Sequence, residues 1–262
     1  MQALRTAATG MAAQQLNVEV ISNNIANMNT IGFKRQSAVF EDLLYQTLEQ
    51  PGAQSSDQGT VVPTGVQIGG GVRAGSVYRI TGQGTLTNTG NALDIAINGP
   101  GYFQVQMPDG STAYTRAGNF SVNGQGQMVT ADGYLVQPTV TIPQNSTNIT
   151  ISQSGQVQVM TPGNTTPTVV GNLQLATFLN DAGLDAIGNN LFTESAASGA
   201  ATAANPGAAG YGLTMQGYTE ASNVDPVSEI TNLIVAQRAY EMNSKVVTTA
   251  DQMLSTAVNT KS

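Results

Sequence analysis

Residues 4–28 read LRTAATGMAAQQLNVEVISNNIANM, and this stretch decides the fold at the N-terminal end of the chain. Two rows of mainly apolar residues recur along it in steps of seven, with the second row three positions after the first: Leu4, Met11, Val18 and Ile25, then Ala7, Gln14, Ile21 and Met28. This is the a and d spacing of a helix that packs against other helices. We therefore predict a first helix from residue 1 to about residue 30.

The C-terminal end carries a second predicted helix with the same period. Asp225 is placed to cap it, and Pro226 suits its first position, where the missing N–H of proline costs no hydrogen bond. We expect the helix to end near Asn259. Its two rows are Leu233, Tyr240, Val247 and Leu254, and then Ala236, Asn243, Ala250 and Ala257. The small residues of the second row allow another helix to approach closely.

The two terminal helices are predicted to pack together, because an isolated helix gains too little to persist in water. One interpretation is an ordinary helical hairpin in a monomer. The other is a shared helical layer through which copies of the chain assemble. Only 10 % of the residues are charged, against about 25 % in typical soluble domains. Such a low charge favours a subunit whose surface is covered by neighbours.

The composition excludes several kinds of chemistry. The chain has no Cys, His or Trp, which excludes thiolate nucleophiles, Ser-His-Asp catalysis and zinc hydrolysis. Its Gly-rich segments lack the Gly-Lys-Ser/Thr of a phosphate-binding loop. Asp181 and Asp185 have no third carboxylate near them in sequence to complete a calcium site. We predict no enzyme activity and no metal or cofactor.

Charge and hydropathy also limit the partners. The net charge is −7 and the basic residues form no cluster beyond Lys34-Arg35, so binding to nucleic acid is not expected. No segment approaches the roughly 20 apolar residues of a membrane span, so membrane insertion is not expected. The N-terminus lacks a basic stretch followed by an apolar core, and we predict no cleavable signal peptide.

Between the helices the pattern changes twice. Residues 34–50 predict a short helix or an extended arm, and residues 51–71, rich in Gly, Pro, Gln and Ser, predict a loop or linker. Short alternating runs then follow, separated by turn signals that favour hairpins: Asn98-Gly99, Asp109-Gly110, Asn123-Gly124 and Asp132-Gly133. Residues 195–212 are rich in small residues and predict an exposed loop.

The predicted fold is therefore α+β and mainly β. Residues 1–33 and 225–262 form a terminal helical coiled-coil domain, residues 34–71 an extended arm or linker, and residues 72–224 an inserted all-β domain. The first helix ends among several asparagines, and Gly32 is expected to lie just beyond it as a C-cap.

Several motifs, in order along the chain, resemble those of the bacterial flagellar rod and hook protein family. They are SNNIANMNTIGFKR at 22–35, LDIAINGPGYF at 93–103, YTRAGNF at 114–120, SNVDPVSE at 222–229 and QRAYEMN at 237–243. The arm, with YQTLEQPGAQSS at 45–56 and VQIGGGV at 66–72, is similar to that of the family's distal-rod members. The likeness covers essentially the whole chain. Pro226 departs from it, because relatives commonly carry an aliphatic residue there.

The resemblance implies a structural subunit of the flagellar distal rod, which forms a rigid helical tube and transmits torque from the motor to the hook. It implies export through the flagellar type III apparatus, a place in the basal body between periplasm and outer membrane, and contacts with other copies, proximal rod proteins, hook protein, the rod cap and the P and L rings. The alternatives are a proximal-rod or hook-type protein of the same family, or a secreted β-rich enzyme or adhesin.

Three groups of residues are expected to carry assembly. Helix packing is assigned to Leu4, Met11, Val18, Ile21, Ile25, Met28, Leu233, Tyr240, Val247 and Leu254. The motif residues expected at contacts between subunits are Asn23, Asn24, Asn27, Gly32, Phe33, Asn223, Gln237, Arg238 and Asn243. The arm contributes Tyr45, Gln50, Pro51 and Gly52.

Overall fold

The computed structural model describes residues 2–52, 64–163 and 166–259, and in this part of the chain two helices flank twenty short strands. Helix α1 spans Gln2–Ala26 and helix α2 spans Pro226–Asn259. A turn of 3-10 helix lies at Asp181–Gly183. The fold is α+β and mainly β, as predicted. The strands are β1 Gln36–Asp42, β2 Tyr45–Glu49, β3 Val66–Gly69, β4 Val72–Arg79, β5 Leu86–Asn88, β6 Ile95–Asn98, β7 Tyr102–Gln106, β8 Thr112–Thr115, β9 Ser121–Val122, β10 Met128–Val129, β11 Leu135–Gln137, β12 Asn148–Ile151, β13 Gln156–Met160, β14 Thr168–Asn172, β15 Leu175–Thr177, β16 Asp185–Gly188, β17 Leu191–Thr193, β18 Thr202–Ala204, β19 Leu213–Gln216 and β20 Tyr218–Glu220.

The chain divides into two compact units. The helical unit takes its described residues from Met1–Ile25, Gln36–Tyr78 and Asp225–Ser262, and the β unit from Ala26–Arg35 and Arg79–Val224. The predicted arm over 34–71 therefore falls mostly in the helical unit, together with most of β4. Part of that arm, residues 53–63, lies outside the described residues.

Helix α2 begins with the predicted cap. Asp225 Oδ1 accepts a hydrogen bond from the Val227 N–H at 3.2 Å, and Asp225 Oδ2 accepts one from the Ser228 hydroxyl at 2.6 Å. These bonds, the one from Ser228 first, hold the pKa of the Asp225 carboxyl below its ordinary value. Pro226 is the first helical residue, so the prediction for this end is confirmed.

Helix α1 ends at Ala26, earlier than the predicted end near residue 30. The chain turns instead, because the Thr30 N–H donates to the Asn27 carbonyl at 3.1 Å. Gly32 has a φ of +70°, and a Cβ added there would lie 2.8 Å from the backbone carbon of Arg116. Gly32 is thus required by a close approach of two backbones in the β unit, and not as the residue directly after the helix.

The two helices pack against each other within the helical unit. The Asn243 side chain lies against Gly10, where an added Cβ would be 2.9 Å from its Nδ2. The Asn24 Nδ2 donates to Glu229 Oε2 at 3.2 Å. Both contacts join residues whose numbers sum to 253, so the helices run antiparallel in one register over two heptads, or about 21 Å. The predicted pairing of the two ends of the chain is confirmed.

A two-stranded ribbon completes the helical unit. Strand β1 pairs with β4, and β2 pairs antiparallel with β3, with Tyr45 opposite Gly69. Between these pairs the Leu43 N–H donates to the Gly71 carbonyl at 2.9 Å and the Gly70 N–H to the Leu44 carbonyl at 3.2 Å, which continues the ribbon. The sequence was compatible with either a short helix or an extended arm over residues 34–50. The structure has strands β1 and β2 there.

The β unit is built around one large sheet with the strand order β16-β17-β8-β7-β11-β10-β9. Strand β15 also pairs with β7, and β18 pairs with β15. Side chains of this sheet, among them Phe103, Val105, Met128, Val136 and Leu175, enter a core. The same core includes Ile95 and Ile97 of β6, Val157 of β13, and Leu173. Residues 195–212 contain β18, so the prediction of an exposed loop there was wrong in part.

Turn chemistry explains most of the hairpins. Gly110 and Gly133 have φ of +84° and +86° and lie in the turns between β7 and β8 and between β10 and β11. The Asn123-Gly124 turn joins β9 and β10. The prediction for Asn98-Gly99 was wrong, because β6 pairs with β19 and not with the strand that follows. A turn signal shows where the chain bends, and not which strand it pairs with afterwards.

Candidate functional site

The face of α1 that is buried in the single chain includes Ala7 and Ile21 of the second predicted row, but no residue of the first row. Its buried residues are Ala7, Ala13, Val20, Ile21 and Asn24, while Leu4, Met11, Val18 and Ile25 are only half-buried. Met28 lies beyond the end of the helix and is exposed, which corrects its assignment as a helix-packing residue. The small Gly10 lets α2 approach closely, while the residues of the first predicted row stay only partly covered.

Helix α2 shows the same division between small and large residues. The buried positions Ala236 and Ala250 belong to the predicted row of small residues. Leu233 and Val247 are half-buried, while Tyr240 and Leu254 are 42 % and 44 % exposed. Further exposed apolar side chains on this helix are Val227, Ile230, Ile234, Val235, Met242, Val246, Met253 and Val258. A helix that exposes so much apolar area has the character of an assembly surface.

Asn24 is the most heavily bonded of the predicted motif residues in the helical unit. It is 1 % exposed, and its amide bonds to both backbone groups of Gln36 as well as to the Glu229 carboxylate. The Asn24 amide therefore makes the two backbone hydrogen bonds that a neighbouring strand would otherwise make with Gln36 at the start of β1. Of the other motif residues on these helices, Asn23, Gln237 and Arg238 are exposed, and Asn243 is half-buried against Gly10.

The β unit contains a buried cluster of charges that joins Glu220 to residues of two sequence motifs. Lys34 Nζ lies 2.6 Å from Glu220 Oε1, and Arg116 Nε lies 2.9 Å from Glu220 Oε2. The Gly84 N–H donates to Glu220 Oε1 at 2.8 Å. All three charged side chains are at most 5 % exposed. Removal of one partner from such a cluster would leave an uncompensated buried charge.

Desolvation sets the electrostatics of this cluster. Burial lowers the pKa of the Lys34 ammonium, although Glu220 opposes the shift. Asp181 lines a cleft of about 240 Å³ beside Arg116, and burial raises the pKa of its carboxyl against the attraction of Arg116 and Lys34. From the sequence, Asp181 was considered only with Asp185 as an incomplete calcium site, and Glu220 was not singled out. Lys34 and Arg116 need a carboxylate partner because they are buried. Which carboxylate supplies it depends on the tertiary fold.

Asn223 holds the β unit together where the chain enters and leaves it. Its Oδ1 accepts from the Arg35 N–H at 2.7 Å, and its Nδ2 donates to the carbonyls of Ile80 and Gly82 at 2.8 and 3.0 Å. The Asn223 N–H donates to the Phe33 carbonyl at 3.4 Å. The residues of the N- and C-terminal motifs thus bond directly to each other.

The ribbon of the helical unit is the least buried of the predicted sites. Every residue of β2 is exposed, and so are Gln50, Pro51 and Gly52. The exposed apolar side chains of the ribbon include Leu44, Tyr45, Leu48, Val66 and Ile68. An isolated two-stranded ribbon is only marginally stable in water, and among the described residues nothing buries β2.

Neither helix in the described ranges 2–52, 64–163 and 166–259 is both long and apolar enough to cross a membrane. Within the same ranges, no three carboxylates form a group that could hold a metal ion.

Three family models match the chain. The model of flagella basal body rod proteins matches residues 4–34, the D1 domain of the flagellar hook protein FlgE/F/G matches residues 96–159, and the C-terminal region of the flagellar basal body rod FlgEFG proteins matches residues 215–260. The first and last matches contain Asn24 and Asn223, and the middle one contains Arg116.

Full-length relatives agree with these models. The chain is 72 % identical to the flagellar basal-body rod protein FlgG of Caulobacter vibrioides over 97 % of both chains. It is 52 % identical to the FlgG of Agrobacterium fabrum over 97 % of both, and 41 % identical to that of Bacillus subtilis over 100 % of this chain and 99 % of the relative.

Proposed function

The chain belongs to the flagellar basal-body rod protein family, and from this premise we propose that it polymerises into the distal rod, a rigid helical tube that transmits torque from the motor to the hook. It is a structural subunit and not an enzyme. The observation that carries the proposal is the apolar surface of α2, which the single chain leaves exposed and which identical neighbours can cover.

Assembly would proceed by contacts between different surfaces of successive copies. A contact of this kind does not close on itself and generates a helical tube. The terminal helices would form the inner layer, through the predicted packing residues of both helices. The exposed ribbon over β2 and β3 would brace neighbouring copies, because no other described strand pairs with it and its apolar side chains are exposed.

The β unit would act as a stiff body. The buried Lys34–Glu220–Arg116 cluster and the Asn223 side chain join segments that are far apart in sequence, and such polar networks fix one arrangement of the chain when every member is satisfied. A subunit that transmits torque must keep one fixed shape under load, and a stiff β unit would do so.

The same proposal covers partners and location. We assign the protein to the flagellar basal body, with the proximal rod proteins, the hook protein, the rod cap and the P and L ring proteins as its partners. The type III apparatus would be its export route, without a cleavable signal peptide.

Immunogold electron microscopy of isolated basal bodies tests this function. The expected label lies on the rod segment next to the hook, and a deletion strain should lack that segment and regain it when the gene is restored. Label confined to the proximal rod or to the hook would favour the other members of the family, and absence from basal bodies would overturn the proposal.

A further inference from the structure

Helices α1 and α2 form a groove that carries an acidic pair. The groove has a volume of about 360 Å³ and is lined by Gln15, Val18, Glu19, Gln237, Tyr240 and Glu241. Arg238 pairs with Glu241 at 2.9 Å, whereas Glu19 accepts a hydrogen bond only from the neutral Gln15, at 3.2 Å. Within the described residues no cation pairs with Glu19. The groove therefore has one carboxylate that is not neutralised.

The cation that matches Glu19 is on the same helix but out of reach. Arg5 and Glu19 are the only charged residues of α1. Arg5 is exposed, and among residues 2–52, 64–163 and 166–259 no carboxylate pairs with it. Fourteen residues separate the two, which places them on nearly the same face of the helix about 21 Å apart. They cannot meet within one chain.

A second copy of the chain can bring them together. We propose that Arg5 of one copy enters the groove of a neighbouring copy and pairs with its Glu19, so that adjacent α1 helices are offset by about 21 Å. This inference rests on the proposed function, because it requires copies that repeat along an axis. Each copy would then offer one arginine and one groove, as a contact between unlike surfaces demands.

The chemistry of the groove suits an arginine. Val18 and the Tyr240 ring provide apolar surface for the aliphatic stem of the side chain, and the ring face attracts a guanidinium. Glu19 and Glu241 give the groove a net negative charge even with Arg238 present. The offset would be specified mainly by the cost of a mismatch, since other offsets leave Arg5 and Glu19 unpaired in a layer that excludes water.

Charge exchange in cells tests the pairing. Arg5→Glu and Glu19→Arg should each lower swimming at least tenfold, because each places like charges together. The double variant R5E/E19R should restore swimming to near the wild-type level. If both single variants swim normally, or if the double variant is no better than the single ones, the pairing is overturned.

Cross-linking tests the geometry, since the natural chain has no Cys. The double variant R5C/E19C, assembled into isolated rods and treated with a short bis-maleimide, should give a ladder of multimers on a denaturing gel. The matched control A8C/A12C also has two exposed positions on α1, but an offset of about 21 Å does not bring residues 8 and 12 of neighbouring copies together, and it should give at most traces.

The outcomes separate the two proposals. Rods that contain the R5C/E19C protein without a ladder would overturn the pairing alone. A ladder from K245C/E19C in its place would also overturn it, since Lys245 would then be the cation in the groove. Absence of the wild-type protein from isolated rods would overturn the proposed function.

Discussion

Asn24 holds the backbone of Gln36 through both ends of its side-chain amide. Its Oδ1 accepts from the Gln36 N–H and its Nδ2 donates to the Gln36 carbonyl, each at 2.8 Å. A peptide group on an adjacent strand would make the same two bonds. Asn24 thereby fixes the start of β1 against α1, which a hydrophobic residue at this buried position could not do.

The variant Asn24→Ala is expected to destabilise the helical unit by about 3 kcal/mol, because the backbone groups of Gln36 and the Glu229 carboxylate lose partners in a buried place. The measurement is urea unfolding of the purified chain by circular dichroism. The exposed neighbour Asn23→Ala serves as control and should cost much less. Equal effects of the two substitutions would contradict a stabilising role for the Asn24 side-chain hydrogen bonds.

Glu220→Gln should destabilise the β unit by about 3–5 kcal/mol, because Lys34 and Arg116 would remain as buried cations without a counter-charge. Asp132→Asn, which changes the same charge on the exposed surface, is the control and should stay within about 0.5 kcal/mol of the wild type. Thermal unfolding compares them. An unchanged midpoint for Glu220→Gln would contradict a structural role for the cluster.

Asp181→Asn should stabilise the β unit at neutral pH. Burial raises the pKa of Asp181 in the folded state, so the carboxylate opposes folding once it is charged, above that raised pKa. Below the ordinary pKa both states hold the proton, and the stabilising difference should vanish. Unfolding midpoints of both proteins between pH 3 and pH 8 give the test, and a difference independent of pH would contradict it.

Leu254→Asp should block assembly without unfolding the subunit, because Leu254 is exposed in the single chain and would be covered in a rod. The purified variant should show the circular dichroism of the wild type, while cells that carry it should form no rods and should not swim. Gln252→Asp on the same helix, also exposed, is the control and should retain rods. Normal rods with Leu254→Asp would mean that this position faces solvent after assembly.

Deletion of residues 46–65 should leave export and the β unit intact and give rods that are bent, short or easily sheared. The deletion removes most of β2, which pairs with β3, and the exposed residues of this ribbon can form many weak contacts repeated at every copy. Rod length and curvature in electron micrographs measure the effect. Straight rods of full length would place stiffness in the helices alone.

Features that depend on neighbouring residues or on a regular period could be predicted from the sequence, whereas individual contacts between distant residues could not. The cap at Asp225 depends on residues next to it, and the prediction is confirmed. The Lys34–Glu220 pair joins residues 186 positions apart, which no periodicity indicates. The asparagines around the end of α1 were recognised as a motif, yet the bond from Asn24 to Gln36 depends on a turn whose course the sequence does not reveal.

The helical rows also show what could not be predicted from the sequence. Their period predicted two packing helices, but it could not separate the face that binds the partner helix from the faces left for other copies. Gly10 and Ala236 decide this, because small side chains let the helices approach closely and the larger apolar residues are then left outside the contact.

Cryo-electron microscopy of rods isolated from cells tests most directly whether copies of this chain assemble through α2. The exposed apolar side chains of α2, among them Val235, Met242, Val246 and Met253, should lie against helices of neighbouring copies within about 4 Å. A rod in which these side chains face open solvent, with copies joined only through their β units, would contradict the proposed assembly.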